Sequence, residues 1–129
     1  MAIITISRDS YSRGKEVAEQ VASRLGYQCI SREILLEASE VFNIPEIKLY
    51  RAIHEAPSIL ARLTYGQERY MAFIRAPILD YMRKDNVVYH GLAGHFFVKD
   101  IPHAFRVRLI ANMEERIRLE MERERISRK

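Results

Sequence analysis

Ile3-Ile4-Thr5-Ile6 opens the sequence and leads into Ser7-Arg8-Asp9-Ser10-Tyr11-Ser12-Arg13-Gly14-Lys15-Glu16, then Val17-Ala18-Glu19-Gln20-Val21-Ala22. A β-branched apolar run, a polar loop ending in Gly-Lys, and a segment with apolar residues three and four apart predict a strand, a loop and a helix. Backbone N–H groups at the start of such a helix point toward an anion, and the helix dipole favours negative charge there. The stretch therefore predicts a phosphate-binding loop, to which Lys15 adds a mobile positive charge.

The loop fits only part of the G-x-x-x-x-G-K-[ST] phosphate-loop pattern. Gly14 and Lys15 fit, whereas Asp9 stands at the first glycine and Glu16 stands at the hydroxyl that binds Mg²⁺. A carboxylate at Asp9 repels phosphate unless it turns away, and Glu16 could hold a metal through water. The alternative is an ordinary strand-to-helix connection whose Ser and Asp side chains cap the helix.

Length and composition predict one cytoplasmic domain. The 129 residues, 48% of them hydrophobic and 29% charged, suit a globular protein that buries its own core. No apolar run reaches the roughly 18 residues of a membrane helix, and the first residues lack a signal peptide's basic and apolar regions. Cys29 is the single cysteine, which excludes an internal disulfide and predicts a buried thiol rather than a metal site.

The net charge of +4 suits an anionic partner, either a nucleotide or a nucleic acid. Basic residues cluster in the loop, at Arg8, Arg13 and Lys15, and again near the C-terminus, from Arg123 to Lys129. The second cluster is interleaved with glutamates, which argues against a continuous basic stripe. We therefore expect a nucleotide partner and consider nucleic-acid binding the least favoured function.

Apolar periodicity divides the rest of the chain into strands and helices. It predicts strands over residues 27–30, 87–90 and 104–111, the last with one face partly exposed to water. It predicts that the first helix ends near Leu25 and that further helices lie over residues 32–42, 46–55, 58–63 and 67–84 and from residue 112 onward. Pro77 lies inside the longest helix and should kink or split it. Strands separated by helices predict an α/β fold with right-handed crossovers and a parallel sheet of about four strands. Residues 1–129 then form one domain, with a helical middle section over residues 32–84.

Several of these segments resemble the cytidylate-kinase-like branch of the P-loop nucleoside monophosphate kinases. The residues that carry the resemblance are Ile4-Thr5-Ile6-Ser7-Arg8, the loop from Ser10 to Glu16, Gly26 with Ser31-Arg32-Glu33-Ile34-Leu35, Val87-Val88-Tyr89-His90-Gly91, and Phe105-Arg106-Val107-Arg108-Leu109-Ile110-Ala111 with Glu114-Glu115-Arg116-Ile117. The most specific piece is the Ile-Ser-Arg lead into a loop ending Arg-Gly-Lys-Glu, because this branch often has Glu after the basic residue. The resemblance spans nearly the whole chain and implies a P-loop kinase-like fold with three layers, αβα.

This resemblance implies transfer of the γ-phosphoryl group of ATP to a nucleoside monophosphate, with Mg²⁺ bridging phosphates. It implies catalytic roles for Lys15 and Arg13, through neutralisation of charge near the transferred group. The implied ATP-binding residues are Ser10, Tyr11, Ser12, Arg13, Gly14, Lys15 and Glu16, and the implied acceptor-binding residues are Arg8, Ser31, Arg32 and His95. For Arg8 and Arg13, solvated surface charge is the alternative interpretation.

The sequence departs from the family pattern in three respects. Its loop has Asp9, Tyr11 and Ser12 where family loops are rich in glycine. After the second strand this chain has Ser31 where the family has an Asp. After the third strand it has Gly91-Leu92-Ala93 where the family has Gly-Arg-Asp or Gly-Arg-Gly to hold the acceptor. His90 and His95 flank that gap, although a lone histidine near a strand end is more often structural. The chain also stops before the basic lid, fifth strand and last helix that the family has, so we expect the domain to be incomplete.

Without a fifth strand, residues 104–111 would form an open sheet edge, which invites pairing with another chain. We therefore expect a homo-oligomer that uses this edge or the helical middle section. Two functions stay open. One is a nucleotide-binding kinase relative, with or without turnover, and the other is a non-catalytic interaction module whose helices from residue 32 to 84 present a partner surface.

Overall fold

The structure, a computed structural model, describes residues 2–8, 12–31, 33–54, 66–91 and 94–125. The strands are β1 (Ile3–Arg8), β2 (Gln28–Ile30), β3 (Val87–His90) and β4 (Ala104–Leu109). The helices are α1 (Gly14–Leu25), α2 (Glu33–Phe42), α3 (Glu46–His54), α4 (Gly66–Arg83), α5 (Gly94–Phe97) and α6 (Met113–Glu124). The predicted helix over residues 58–63 lies outside the described residues.

The strands form one parallel sheet in the order β2-β3-β1-β4. In this register Ile6 of β1 lies opposite His90 of β3 and Val107 of β4. Because the strands are parallel, their carboxyl ends meet at one edge of the sheet, which we call the carboxyl edge. In open α/β sheets this is the edge at which ligands bind.

Helices cover both faces of the sheet and give it three layers. On one face α1 packs through Ala18 and Ala22 against Ile6 and Val88. The other face carries the larger core, in which apolar side chains of β1 and β3 meet those of α2, α3 and α4: Ile3, Val87, Ile34, Leu49, Ile74 and Ile78. The predicted fold class, an α/β domain of the P-loop kinase-like type with a parallel four-stranded sheet, is confirmed.

The helical middle section packs into this larger core. Helices α2, α3 and α4 contact one another, and α4 continues through Pro77 rather than splitting there. Pro77 is buried, so its burial opposes the roughly 3 kcal/mol that an internal proline costs a helix. In the part of the chain that the structure describes, no helix combines the length and apolar character needed to cross a bilayer.

Two expectations about exposure were wrong. Cys29 is half-buried rather than buried. At β4 both faces are exposed, not one, with Phe105 66% and Val107 40% exposed. This strand is the edge of the sheet beside β1, and no described helix packs extensively against it.

Candidate functional site

The carboxyl edge brings several of the predicted site residues into one region. Strand β1 ends at Arg8 and α1 begins at Gly14, so the predicted phosphate loop connects them directly. Ser31 follows β2, and its hydroxyl lies close to the backbone of Gly91 after β3. Ser10, Tyr11 and Arg32 lie outside the described residues, so their predicted roles stay predictions.

The start of α1 has an unusual local geometry. Arg13 precedes the helix with φ 57° and ψ 26°, a left-handed conformation, and its side chain makes no capping hydrogen bond. Its carbonyl already accepts the first helical hydrogen bond, from the amide of Val17 at 3.1 Å. The amides of Gly14, Lys15 and Glu16, which precede Val17, have no partner within the helix. Such amides bind capping side chains, water or ligands. The capping position is therefore occupied by Arg13 and not by a Ser or Asp, whereas the alternative of an ordinary strand-to-helix connection has a Ser or Asp cap.

Gly14 is needed for the close approach of this turn to the end of β1. A Cβ atom at residue 14 would lie 2.1 Å from Cδ of Arg8 and 2.8 Å from its Cβ. Contacts this short require the Arg8 side chain or the turn to move. Only glycine thus lets the Arg8 stem pack against the first residue of α1, and this places Arg8 beside the loop.

Each predicted catalytic cation is paired with a carboxylate. Lys15 Nζ lies 3.8 Å from Oε1 of Glu19, one turn further along α1. Arg13 Nη2 lies 3.9 Å from Oε1 of Glu115, on α6. About half or more of each cationic side chain is exposed, at 69% for Lys15 and 54% for Arg13, so both can turn toward a ligand without disturbing the core.

Glu115 is itself held by α6. Arg118 donates to its two carboxylate oxygens, from Nη2 to Oε1 at 2.6 Å and from Nε to Oε2 at 3.2 Å. These hydrogen bonds from Arg118 lower the pKa of Glu115, so its carboxylate is charged at neutral pH. Arg118 also donates to Glu122 at 2.5 Å. The sequence pattern did not predict that Glu115 would meet the loop, since the two segments are about a hundred residues apart.

His90 is a candidate site residue, although its place near a strand end favours a structural role. It ends β3 opposite Ile6 and is only 5% exposed. Its position two residues after Val88 puts its ring on the α1 face of the sheet. Among the described residues, no group forms a hydrogen bond with its buried Nδ1. Burial and then the positive charge of Arg8 lower its pKa, so the ring is neutral at pH 7.

His95 was predicted to bind the acceptor, and the structure places it on the short helix α5, just after β3. Its ring lies 4.1 Å from that of Phe96, and its Nδ1 is buried with no hydrogen-bond partner in the described part of the chain. It lies near the carboxyl edge, but no described contact joins it to Arg8, Arg13 or Lys15. The structure thus brings Arg8, Arg13, Gly14 and Lys15 together around one turn and leaves His95 outside that group.

The donor atoms at this edge suit a metal that arrives with its ligand's phosphates. Glu16 is an exposed carboxylate in the first turn of α1. Within the described ranges, no three His, Cys, Asp or Glu side chains are grouped so as to hold a metal ion. Mg²⁺ commonly keeps several waters and takes one or two carboxylates plus substrate phosphates, so Glu16 fits a water-mediated contact to it.

Comparison with solved structures shows the same fold elsewhere. An uncharacterized protein from Eubacterium ventriosum aligns with a TM-score of 0.67 at 17% identity, over 98% of this chain and 64% of that one. TT1252 from Thermus thermophilus aligns with a TM-score of 0.55 at 22% identity, over 98% of this chain and 74% of that one. The chain thus spans about two thirds to three quarters of the length of these structures. None of the curated proteins matches it significantly.

The sequence also matches a family model over residues 3–129, from the first residue of β1 to the last residue of the chain. That model describes the cytidylate kinase-like family. The match includes the strand, turn and helix around Gly14 and the α6 segment that carries Glu115, and it confirms the resemblance drawn from the sequence. On this evidence the chain belongs to the cytidylate kinase-like family.

Proposed function

We propose that this protein binds a nucleoside triphosphate, ATP, at the turn between β1 and α1. The observation that carries the proposal is the position of Gly14. It begins a helix at the carboxyl end of a central strand, packs against Arg8, and lies between two exposed cations, Arg13 and Lys15. A helix N-terminus flanked by cations attracts a polyphosphate through its backbone amides and its positive charge.

Different groups of the turn would bind different parts of the ligand. Backbone amides from Ser10 to Glu16 would surround the phosphates, and Lys15 and Arg13 would neutralise charge on the terminal group. Mg²⁺ would bridge the phosphate oxygens and stabilise negative charge, with Glu16 in contact through water. The buried, neutral His90 and the packed Arg8 would form the inner wall of this site.

The family implies a reaction in which the γ-phosphoryl group passes to a nucleoside monophosphate. We extend the proposal to that transfer, with Ser31, Arg8, Arg32 and His95 on the acceptor side. Such catalysis depends mostly on positioning and charge neutralisation. The proposal also locates the protein in the cytoplasm, where nucleotides are abundant.

Thermal unfolding with ATP, ADP or CMP, each with and without Mg²⁺, tests the binding proposal. A ligand at about a hundredfold excess over its Kd stabilises a protein by about 2.7 kcal/mol. We expect a clear increase in Tm with Mg-ATP, and we expect Lys15→Ala to remove most of it. Lys84→Ala is the matched control, because Lys84 pairs with Asp80 at 3.9 Å in the same i,i+4 geometry and is 67% exposed.

Lys84 precedes β3 and therefore lies at the opposite edge of the sheet from the loop. Its replacement should leave the ATP-dependent increase in Tm unchanged. Equal increases in the native protein and in Lys15→Ala, or no increase with any nucleotide, would contradict the proposal.

A second candidate function is self-association without catalysis. The exposure of β4 favours it, since this edge strand carries Phe105 at 66% exposure. An open edge with apolar side chains pairs readily with another strand. Here the partner would be a second copy of the chain, and the turn around Gly14 would be only a connection.

A further inference from the structure

Helix α6 is joined to the rest of the described structure by few contacts. None of its residues is buried, and no described strand or other helix packs extensively against it. Asn112 caps its start, with Oδ1 accepting from the amide of Glu114 at 2.8 Å. One contact that joins it to the loop is the ion pair between Glu115 and Arg13.

This ion pair involves a cation that the proposed function assigns to the phosphates. Arg118 fixes both oxygens of Glu115, so the carboxylate is already oriented before Arg13 meets it. Arg13 directly precedes α1 and has a left-handed backbone conformation. A carboxylate and a phosphate oxygen are alternative partners for the same guanidinium group, because Arg binds both through similar hydrogen bonds.

We propose that Glu115 competes with the bound polyphosphate for Arg13, so that α6 is held against the loop in the free protein and released when ATP binds. The inference rests on the proposed function, because it needs an anion at the loop. Lys15 also has a carboxylate partner, but within its own helix, since its Nζ lies 3.8 Å from Oε1 of Glu19. The pair between Arg13 and Glu115 differs in that it links two distant segments of the chain.

The competition has a reciprocal consequence. If releasing Glu115 is part of binding, any change that removes this carboxylate strengthens ATP binding, and ATP weakens the attachment of α6 by the same factor. Exposed ion pairs are individually weak, so the expected gain in ATP affinity is about two- to fivefold.

Calorimetric titration with ATP at fixed ionic strength tests this inference. Glu115→Gln should bind ATP about two- to fivefold more tightly than the native protein. Glu120→Gln is the matched control, because it removes the same charge from an exposed position on the same helix. It should leave the affinity nearly unchanged.

A double variant tests whether the gain in ATP affinity depends on Arg13. In an Arg13→Gln background the gain from Glu115→Gln should disappear, because the competing pair no longer exists. Amide hydrogen exchange provides a readout independent of affinity: ATP should speed exchange over residues 116–124 in the native protein and not in Arg13→Gln.

The results separate this inference from the proposed function. If Lys15→Ala abolishes ATP binding but Glu115→Gln behaves like Glu120→Gln, the site stands and the competition is wrong. A gain that persists in Arg13→Gln also overturns it. If neither the native protein nor Glu115→Gln binds ATP, both the function and the inference fail.

Discussion

At the scale of single residues, His90 illustrates how position determines the state of a side chain. Sequence alone marked it as a histidine at a strand end, for which a structural role was favoured. The register opposite Ile6 and the packing of α1 bury it beside the loop. A buried polar nitrogen without a hydrogen-bond partner costs about 1–3 kcal/mol, and no described residue bonds the Nδ1 of His90.

The lowered pKa of His90 predicts a pH-dependent stability. In the unfolded chain the ring titrates near its ordinary pKa of 6.5, whereas in the folded protein burial and Arg8 lower that pKa. Below about pH 6.5 the unfolded state therefore binds more protons, so the free energy of unfolding falls as the pH falls toward the folded pKa. Lys15 also lowers this pKa, and Glu33 and Glu19 act in the opposite direction.

Thermal unfolding between about pH 7.5 and about pH 5.5 measures this effect, whose slope for one group cannot exceed about 1.4 kcal/mol per pH unit. His90→Gln should lose less stability across this range than the native protein. The control is His103→Gln, since His103 is 58% exposed and lies 3.5 Å from Asp85. The same loss of stability in His90→Gln and in the native protein would show that another group is responsible.

At the scale of elements, β4 is the strand whose surroundings the sequence described least well. Its alternating arginine and apolar residues predicted one covered face and one partly wet face, but both are exposed. Alternation shows which residues share a face and not whether another element covers that face. An antiparallel pair of β4 strands centred on Phe105 would stack the two phenyl rings and keep Arg106 opposite the second copy's Ala104 rather than its Arg106.

We expect the protein to form dimers through β4 at high concentration. Phe105→Lys should raise the dimer Kd by about tenfold or more, because it replaces a large apolar side chain with a charge at the centre of the interface. Val41→Lys is the control, since Val41 is 67% exposed on α2 in the helical middle section. Sedimentation velocity over a range of concentrations measures both variants.

The two variants also distinguish the two interfaces considered from the sequence. Dimers that survive Phe105→Lys and are lost in Val41→Lys would place the interface on the helical middle section. A native protein that stays monomeric at the highest concentration would contradict self-association altogether.

At the scale of the whole molecule, local patterns predicted most elements but few of the contacts between them. The strand Val87–His90 and the Gly26 stop of α1 were both predicted, because strand propensity and a left-handed helix end depend on nearby residues. Pro77 was predicted to kink or split its helix. The helix does not split there, and a kink at Pro77 stays a prediction.

The candidate site shows the same division. Gly14 and Lys15 could be singled out from the loop pattern because the chemistry of phosphate binding is local. Two other features could not be predicted in this way: the pairing of Arg13 with Glu115 and the position of His90 beside Arg8. Both depend on the strand order β2-β3-β1-β4. Strand order is a long-range property that apolar periodicity does not encode.

The proposed function requires that backbone amides at the start of α1 bind a polyphosphate. The most direct test is a ¹⁵N-resolved NMR titration of the native protein with Mg-ATP, which follows each backbone amide. We expect the signals of Gly14, Lys15 and Glu16 to shift most and to saturate together. Unchanged signals at these residues, with the largest shifts on α2 to α4 or among the C-terminal arginines, would contradict it.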